Sequence, residues 1–136
     1  MEEADGPSRY NGKRMSEAAY LALPEVKPYL EYVDGVVRQK PMVNDQHGDI
    51  VAEIVFAFGL YRRSRQGHAR VEMRMRMPDG SYRLPDASFY SLGAPHGADT
   101  VPSVAVEVCS PSQRIADLRG KCRDLRRAGV LTCLFI

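Results

Sequence analysis

The chain of 136 residues is 44% apolar and 26% charged, and its net charge is +2. These values are typical of one soluble globular domain, and they permit nucleic-acid binding without indicating it. No apolar run approaches the roughly 20 residues of a membrane span, and no basic-then-apolar leader opens the chain. We therefore expect no membrane association and a cytoplasmic location.

Periodicity and turn residues predict a mobile polar tail over residues 1–13 and a single domain over residues 14–136. The predicted elements of that domain are a helix over 17–23, strands over 29–33 and 36–39, a helix over 45–64, strands over 70–77, 81–84, 87–90 and 103–109, a helix over 113–128 and a strand over 130–136.

Turn and cap residues mark several of these boundaries. Asp34-Gly35 is a strong signal for a two-residue hairpin. Ser16 and Ser112 are predicted to cap the first and last helices, and Gly129 is predicted to end the last one. The last strand, helix and strand predict a βαβ-like unit beside N-terminal hairpins. The fold class is therefore α/β or α+β, a mixed sheet flanked by helices.

The strand predicted over 70–77 has a regular alternation of apolar and charged residues. Its apolar face is expected to be core or an oligomer interface: Val71, Met73, Met75 and Met77. Its other face carries Arg70, Glu72, Arg74 and Arg76. These arginines, like Arg119, Arg123, Arg126 and Arg127 of the last helix, are either simply solvated or in contact with phosphate groups.

The three cysteines, Cys109, Cys122 and Cys133, lack the short paired spacings of zinc sites. An odd number of cysteines in a cytosolic chain argues against a disulfide framework. We therefore predict free thiols that act as small buried apolar residues.

A carboxylate inside an apolar strand is the most unusual feature of the sequence. Glu107 interrupts a β-branched run, and burial of a lone carboxylate is unfavourable unless it is paired, protonated or bound to a metal. Asp86 follows Pro85 at the entrance to the preceding strand. If these two strands pair, Asp86 and Glu107 can share a hard divalent cation, Mg²⁺ or Mn²⁺.

Two further residues complete the candidate site, Lys121 and Glu31. Lys121 lies at the border of the buried stripe of the last helix, from which its ammonium can reach Glu107. Two acids, a metal and an ammonium are what phosphodiester hydrolysis needs. The metal lowers the pKa of a bound water, and the lysine orients that water or stabilises the developing charge.

Structural interpretations remain open for the same residues. Asp86 can be a turn residue, Glu107 a buried partner of a basic side chain, and Lys121 a surface lysine whose stem covers apolar area.

Two earlier residues have similar alternatives. Glu31 can pair across the hairpin with Arg38 or Lys40. His47 lies on the apolar face of the second helix, where a hydrogen-bonded core histidine is favoured over an accessory catalytic role.

These residues, in this order, resemble a known family. The motifs are Tyr29-Leu30-Glu31-Tyr32-Val33-Asp34-Gly35, His47, Pro85-Asp86, Val106-Glu107-Val108-Cys109-Ser110-Pro111-Ser112, Lys121 and Arg127-Ala128-Gly129-Val130. From about Ser16 to the last residue, the chain is similar to the Uma2 family, a branch of the PD-(D/E)XK nuclease superfamily assigned to restriction endonucleases.

The resemblance implies a restriction-endonuclease-like core in which Asp86 and Glu107 hold the metal. In the superfamily pattern a lysine lies two residues after the second acid, where this chain has Cys109. Uma2 members place the lysine on the following helix, which implies Lys121. Glu31 is the implied earlier acid that helps to hold metal or water.

The resemblance also implies features beyond the site. Uma2 members continue past the last strand with a Trp-containing β segment, so a chain without Trp is expected to be C-terminally truncated and to lack part of a sheet edge and of a homodimer surface. We expect a Mg²⁺-dependent (or Mn²⁺-dependent) nuclease that hydrolyses DNA phosphodiester bonds. The alternative is a non-catalytic nucleic-acid-binding or structural remnant of the fold.

Overall fold

The computed structural model describes residues 8–63, 67–95 and 97–136. These residues contain three helices and eight strands. In chain order they are α1 Glu17–Leu21, β1 Leu30–Val33, β2 Val36–Gln39, α2 Asp45–Arg63, β3 Gly67–Val71, β4 Met75–Arg76, β5 Tyr82–Arg83, β6 Ala87–Ser91, β7 Val104–Glu107, α3 Ile115–Arg127 and β8 Thr132–Phe135. None of these helices is long and apolar enough to cross a membrane. Of the predicted tail, residues 1–7 lie outside the described residues, and residues 8–13 form turns with backbone hydrogen bonds to β2.

The strands form two four-stranded sheets. One, in the order β2-β1-β5-β4, is antiparallel throughout, and we call it the antiparallel sheet. The other, in the order β3-β6-β7-β8, is mixed because β7 and β8 run parallel. α3 connects these two strands, as a parallel crossover requires. The predicted α/β class and the βαβ unit are confirmed, with the strands divided between two sheets.

The prediction of a single strand over 70–77 is wrong, because this segment is divided between the two strands β3 and β4. Glu72 has a φ of 51°, a left-handed conformation that a regular strand does not contain. β3 pairs with β6 in the mixed sheet, whereas β4 pairs with β5 in the antiparallel sheet. The apolar alternation is also broken in space, since Val71 is half exposed while Met75 is fully buried.

Helices pack on both faces of the mixed sheet and so fix its two central strands. α2 packs Ile50, Val51, Ile54, Val55 and Phe58 against Ala87 of β6, Val106 of β7 and the adjacent Val108. On the opposite face, Leu125 of α3 packs against Ala105 of β7. Because successive side chains of a strand point to opposite faces, Glu107 lies on the same face as Ala105, which is the side of α3.

The N-terminus of α3 differs from the prediction. Its N-cap is Arg114, which makes no side-chain capping hydrogen bond, so the predicted cap at Ser112 is wrong. Pro111 and Ser112 form a turn before the helix instead. Ile115, the first residue of the helix, is 48% exposed. Gly129 follows the helix as predicted, with a φ of 114°.

A disulfide joins Cys122 of α3 to Cys133 of β8, and Cys109 is free. The prediction of free thiols is therefore wrong for two of the three cysteines. The parallel crossover lays α3 against β8 and brings the two Cα atoms to 5.5 Å. The bond links the helix that carries Lys121 to the strand that follows it.

Gly67 begins β3 at a place where a side chain does not fit. A Cβ there would lie 2.2 Å from the backbone oxygen of Tyr90 and 2.6 Å from the ring of Phe89. We expect Gly67→Ala to lower the free energy of unfolding by about 1–3 kcal/mol, as overpacking does, in urea denaturation. Gly59→Ala is the control, because a Cβ there meets nothing within 4 Å and alanine favours the helix. Equal effects of the two substitutions would contradict this account.

Candidate functional site

Lys121 lies between two acidic side chains at the centre of the site. Its Nζ is 2.8 Å from Oε2 of Glu31 and forms a second ion pair with Oε1 of Glu107. All three side chains are almost completely buried, Glu107 being only 2% exposed. α3 turns Lys121 towards the sheet beside Leu118 and Leu125, at the three- and four-residue spacing of one helix face. The structure therefore brings Lys121 to Glu107, as the sequence predicted.

Glu31 of β1 is held by more than Lys121. Its Oε2 accepts a hydrogen bond of 2.6 Å from the backbone N–H of Leu84, and its Oε1 lies 3.4 Å from Nη1 of Arg83. Glu31 is opposite Arg38 in the register of the hairpin, but Arg38 is exposed. The cross-strand pair that the sequence allowed is replaced by the contact with Lys121.

Asp86 lies at the start of β6, beside Glu107 of the neighbouring strand. The backbone N–H of Val108 donates to Oδ2 of Asp86 at 2.7 Å, and Nζ of Lys40 donates to Oδ1 at 2.9 Å. The backbone N–H of Asp86 lies 3.4 Å from Oε2 of Glu107. The antiparallel pairing of β6 with β7 thus places each of the two carboxylates against the backbone of the other strand, and these are the residues that the sequence predicted to share a cation.

His47 is buried near the N-terminus of α2, where the side chain of Asn44 accepts a hydrogen bond from its backbone N–H at 2.9 Å. Its Nε2 lies 3.3 Å from Oδ2 of Asp86. His47 is therefore buried and hydrogen-bonded, as the favoured interpretation expected, and its partner is one of the two central carboxylates.

Lys40 and Glu72 are members of the site that the sequence analysis did not assign to it. Nζ of Lys40 donates to Oε2 of Glu72 at 2.7 Å, to the carbonyl of Leu84 at 2.6 Å and to Asp86. The sequence offered one signal for Lys40, its place after β2 on the face of Glu31. We call Glu31, Glu72, Asp86, Glu107, Lys40 and Lys121 the carboxylate–lysine cluster.

The carboxylates of the cluster differ in the direction of their pKa shifts. Burial raises the pKa of Glu107 to about 7, although Lys121 and Lys40 oppose the rise. Burial also acts to raise the pKa of Asp86, but Lys40, the backbone N–H of Val108 and Lys121 together outweigh it and hold that pKa below its usual value. In the same way Lys121, Lys40 and Arg83 together outweigh burial at Glu31 and lower its pKa. Four carboxylates surround two ammonium groups, so Glu107, enclosed on all sides, retains a proton most readily.

The raised pKa of Glu107 predicts a pH-dependent difference between the parent and Glu107→Gln. The folded pKa is about 7 and the ordinary value is 4.5, so the folded state binds the proton more tightly. This contribution to stability is complete below the ordinary pKa and is lost as the pH rises through the folded pKa, on the order of 3 kcal/mol in all. Urea unfolding in EDTA, from below pH 4.5 to above pH 7, should show that the parent loses stability relative to Glu107→Gln as the pH rises. A difference that stays constant with pH would count against the raised pKa.

A cleft of about 230 Å³ opens onto the cluster. Its polar lining includes Lys40, His47, Glu72, Asp86 and Glu107, and its apolar lining includes Tyr29, Pro41, Met42 and Val43. Met42 and Val43 are more than half exposed, at 57% and 56%. Asp86 and Glu107 line this cleft, although their side chains are only 6% and 2% exposed.

The oxygen donors of the site suit a hard divalent cation, and Lys40 competes for them. Carboxylates such as Asp86 and Glu107 are the ligands that Mg²⁺ and Mn²⁺ prefer. Within residues 8–63, 67–95 and 97–136, no group of three His, Cys, Asp or Glu side chains is arranged to hold a metal ion. The ammonium group of Lys40 lies among these oxygens, in contact with Asp86, Glu72 and the carbonyl of Leu84. The residues therefore fit a divalent cation in their chemistry.

The arginines around the break between β3 and β4 have partners inside the fold. Arg70 is buried, and its guanidinium lies 4.2 Å from the ring centre of Tyr90. Arg74 lies over the ring of Tyr20 at 5.1 Å, and Arg76 pairs with an acidic residue of α1 at 3.2 Å. The expectation that this row is solvated or contacts phosphates is therefore wrong for Arg70.

The fold is that of a nuclease-like α/β protein. A crystal structure described as a putative nuclease belonging to DUF820, from Anabaena variabilis ATCC 29413, matches with a TM-score of 0.80 at 23% identity, over 90% of this chain and 73% of that one. The model of the Uma2 family, described as "Putative restriction endonuclease", matches residues 18–136. The chain belongs to the Uma2 family, as its sequence motifs indicated. No curated protein matches it.

Proposed function

We propose that this chain is a divalent-cation-dependent nuclease that hydrolyses DNA phosphodiester bonds at the carboxylate–lysine cluster. The observation that carries the proposal is the side-by-side placement of Asp86 and Glu107, with Lys121 paired to Glu107 beneath an open cleft. Membership of a family described as "Putative restriction endonuclease" supports a nuclease function.

Asp86 and Glu107 are the residues that would hold Mg²⁺ or Mn²⁺, which when bound polarises the phosphate and lowers the pKa of the attacking water. Asp86 is oriented by the backbone N–H of Val108 on one oxygen and by Lys40 on the other. His47 contacts the same carboxylate and acts as an accessory residue.

Lys121 supplies a fixed positive charge beside Glu107. Such a charge stabilises the negative charge that develops on the phosphoryl oxygens as the P–O bond breaks. Because Glu31 and Glu107 already hold its ammonium, little reorganisation is needed during the reaction. Glu31 assists as a positioning residue, since it joins Lys121 to the backbone of Leu84.

A second candidate function is a non-catalytic, nucleic-acid-binding form of the same fold. The observation in its favour is internal neutralisation: Lys40 pairs with Glu72 and Asp86, and Lys121 pairs with Glu31 and Glu107. A cluster neutralised in this way can remain folded without a metal ion. This form predicts binding of nucleic acid without cleavage.

A cleavage assay separates the two functions. End-labelled DNA, and RNA of the same sequence in parallel, is incubated with the parent, Asp86→Asn or Glu107→Gln, in Mg²⁺, Mn²⁺ or EDTA. We expect metal-dependent cleavage by the parent and a rate lower by about 100-fold or more in each variant, the effect of losing a group that stabilises charge in the reaction.

Asp99→Asn is the control, because Asp99 is an exposed carboxylate in the loop between β6 and β7. It is expected to leave the rate unchanged. Cleavage that persists in EDTA or in both site variants would contradict the proposed nuclease. Binding without cleavage would favour the non-catalytic form.

A further inference from the structure

A second and larger opening approaches the cluster from the side of α3. This groove, of about 870 Å³, runs between the β1–β2 hairpin and the exposed face of α3. Lys121 and Arg83 line it, and both contact Glu31 at the centre of the site. Pro41 and Gln113 line both this groove and the smaller cleft above Asp86 and Glu107, so the two openings adjoin. We call it the α3 groove.

The lining of the α3 groove is strongly basic. Its cations are Arg38, Arg83, Lys121, Arg123 and Arg127, and its acids are Asp117 and Asp124. Arg83 is already paired with Asp124 and Glu31, and Lys121 with Glu31 and Glu107. The positive charge that the groove offers to a ligand is therefore that of Arg38, Arg123 and Arg127. A basic lining beside a reactive site attracts anionic ligands.

Three arginines of the groove are exposed at its rim: Arg38, Arg123 and Arg127. No ion pair joins any of them to a carboxylate within the described part of the chain. Arg123 and Arg127 are four residues apart on α3 and so lie on one face of the helix, whereas Arg38 comes from β2 on the other side. The groove therefore has guanidinium groups on both walls.

We propose that the α3 groove binds the phosphodiester backbone of a nucleic-acid strand, with Arg123 and Arg127 on one wall and Arg38 on the other contacting phosphates. The proposal rests on the proposed function, because it assigns the path by which a strand reaches Lys121. Phosphate contacts by arginine fix the position of a nucleic acid without reading its sequence. The groove thus supplies affinity, and the cluster supplies the chemistry.

The same helix provides a matched control. Arg119 and Arg126 are exposed on α3 but do not line the groove. Arg119→Ala with Arg126→Ala removes the same net charge from the chain as Arg123→Ala with Arg127→Ala. A difference between these two double variants therefore reports the location of the charges and not their number.

The test is the fluorescence anisotropy of labelled single-stranded DNA, RNA of the same sequence and duplex DNA with the full chain. EDTA is present so that cleavage does not contribute. We expect the groove variant Arg123→Ala/Arg127→Ala to weaken binding by about 10-fold or more between 50 and 200 mM salt. It should also reduce the magnitude of the slope of log K against log[salt] by about 1.4 for a single strand and about 1.8 for duplex DNA, because two phosphate contacts are lost. The Arg119→Ala/Arg126→Ala control is expected to change binding by less than about 2-fold.

Equal weakening by the two double variants, or no nucleic-acid binding by the folded parent, would overturn the proposal. So would competition by a polyglutamate peptide as effective as that by the oligonucleotide, because the groove would then accept any polyanion. Preference among the three nucleic acids identifies the strand type. Binding that depends on the groove arginines, without cleavage, would support the groove proposal and contradict the proposed nuclease. Cleavage by the parent, with unaltered binding by the groove variant, would support the nuclease and overturn the groove proposal.

Discussion

Lys121→Met is expected to lower the free energy of unfolding by about 3–5 kcal/mol, the effect of leaving a buried ion without its partner. Lys121 contacts both Glu31 and Glu107, and neither carboxylate is open to water. Methionine fills the space of the lysine stem but supplies no charge. The pKa of Glu107, already about 7, then rises further because Lys121 no longer opposes the effect of burial. Glu31 keeps its contacts with Arg83 and the backbone N–H of Leu84. Urea denaturation at neutral pH measures the loss.

Two comparisons test the cause of this loss. Arg119→Met, on the exposed side of the same helix, is expected to change stability by less than about 0.5 kcal/mol. Adding Glu107→Gln to Lys121→Met is expected to recover part of the loss, because the second substitution removes the orphaned carboxylate. A Lys121→Met variant as stable as the parent would show that the buried pairs do not form in solution.

We expect Lys40→Met to have a similarly large effect and to lower the free energy of unfolding by about 3–5 kcal/mol. Burial alone would lower the pKa of Lys40, but the carboxylates around it raise that pKa, so its ammonium is charged throughout the ordinary pH range. Its removal takes away the ammonium donor of Glu72, of Oδ1 of Asp86 and of the carbonyl of Leu84.

A divalent cation should compensate for the loss of Lys40. If Lys40 and a metal compete for Asp86, Mg²⁺ raises the unfolding temperature of Lys40→Met by more than that of the parent, because a ligand of the folded state stabilises it more when it binds more tightly. Lys27→Met is the control, since Lys27 lines the same cleft but is exposed. Equal metal-induced shifts in Lys40→Met and the parent would contradict the competition.

Local patterns in the sequence were sufficient to find the centre of the site. Glu107 stood out because a carboxylate inside an apolar strand needs a partner, and Lys121 stood out because it borders a helical apolar stripe. Both signals depend on neighbours within a few residues. The hairpin, the two long helices and the βαβ unit were predicted for the same reason, because periodicity and turn residues are local.

The rest of the site depends on contacts between distant parts of the chain. Lys40 meets Glu72 and Asp86 across 32 and 46 residues, and no local pattern announces those contacts. The regular alternation of apolar and charged residues around Glu72 predicted one strand. The left-handed backbone of Glu72 instead separates two strands. The disulfide was missed because Cys122 and the later cysteine become neighbours only through the crossover. The homodimer and the cytoplasmic location stay predictions.

Calorimetric titration of Mg²⁺ and Mn²⁺ into the folded protein tests the central claim most directly, because the proposed chemistry needs a cation held by Asp86 and Glu107. The account predicts saturable binding by the parent, weakened by about 10-fold to 100-fold or more in Asp86→Asn and in Glu107→Gln, and unchanged in Asp99→Asn. A folded parent that binds neither ion, or that binds them equally well without either carboxylate, would contradict it.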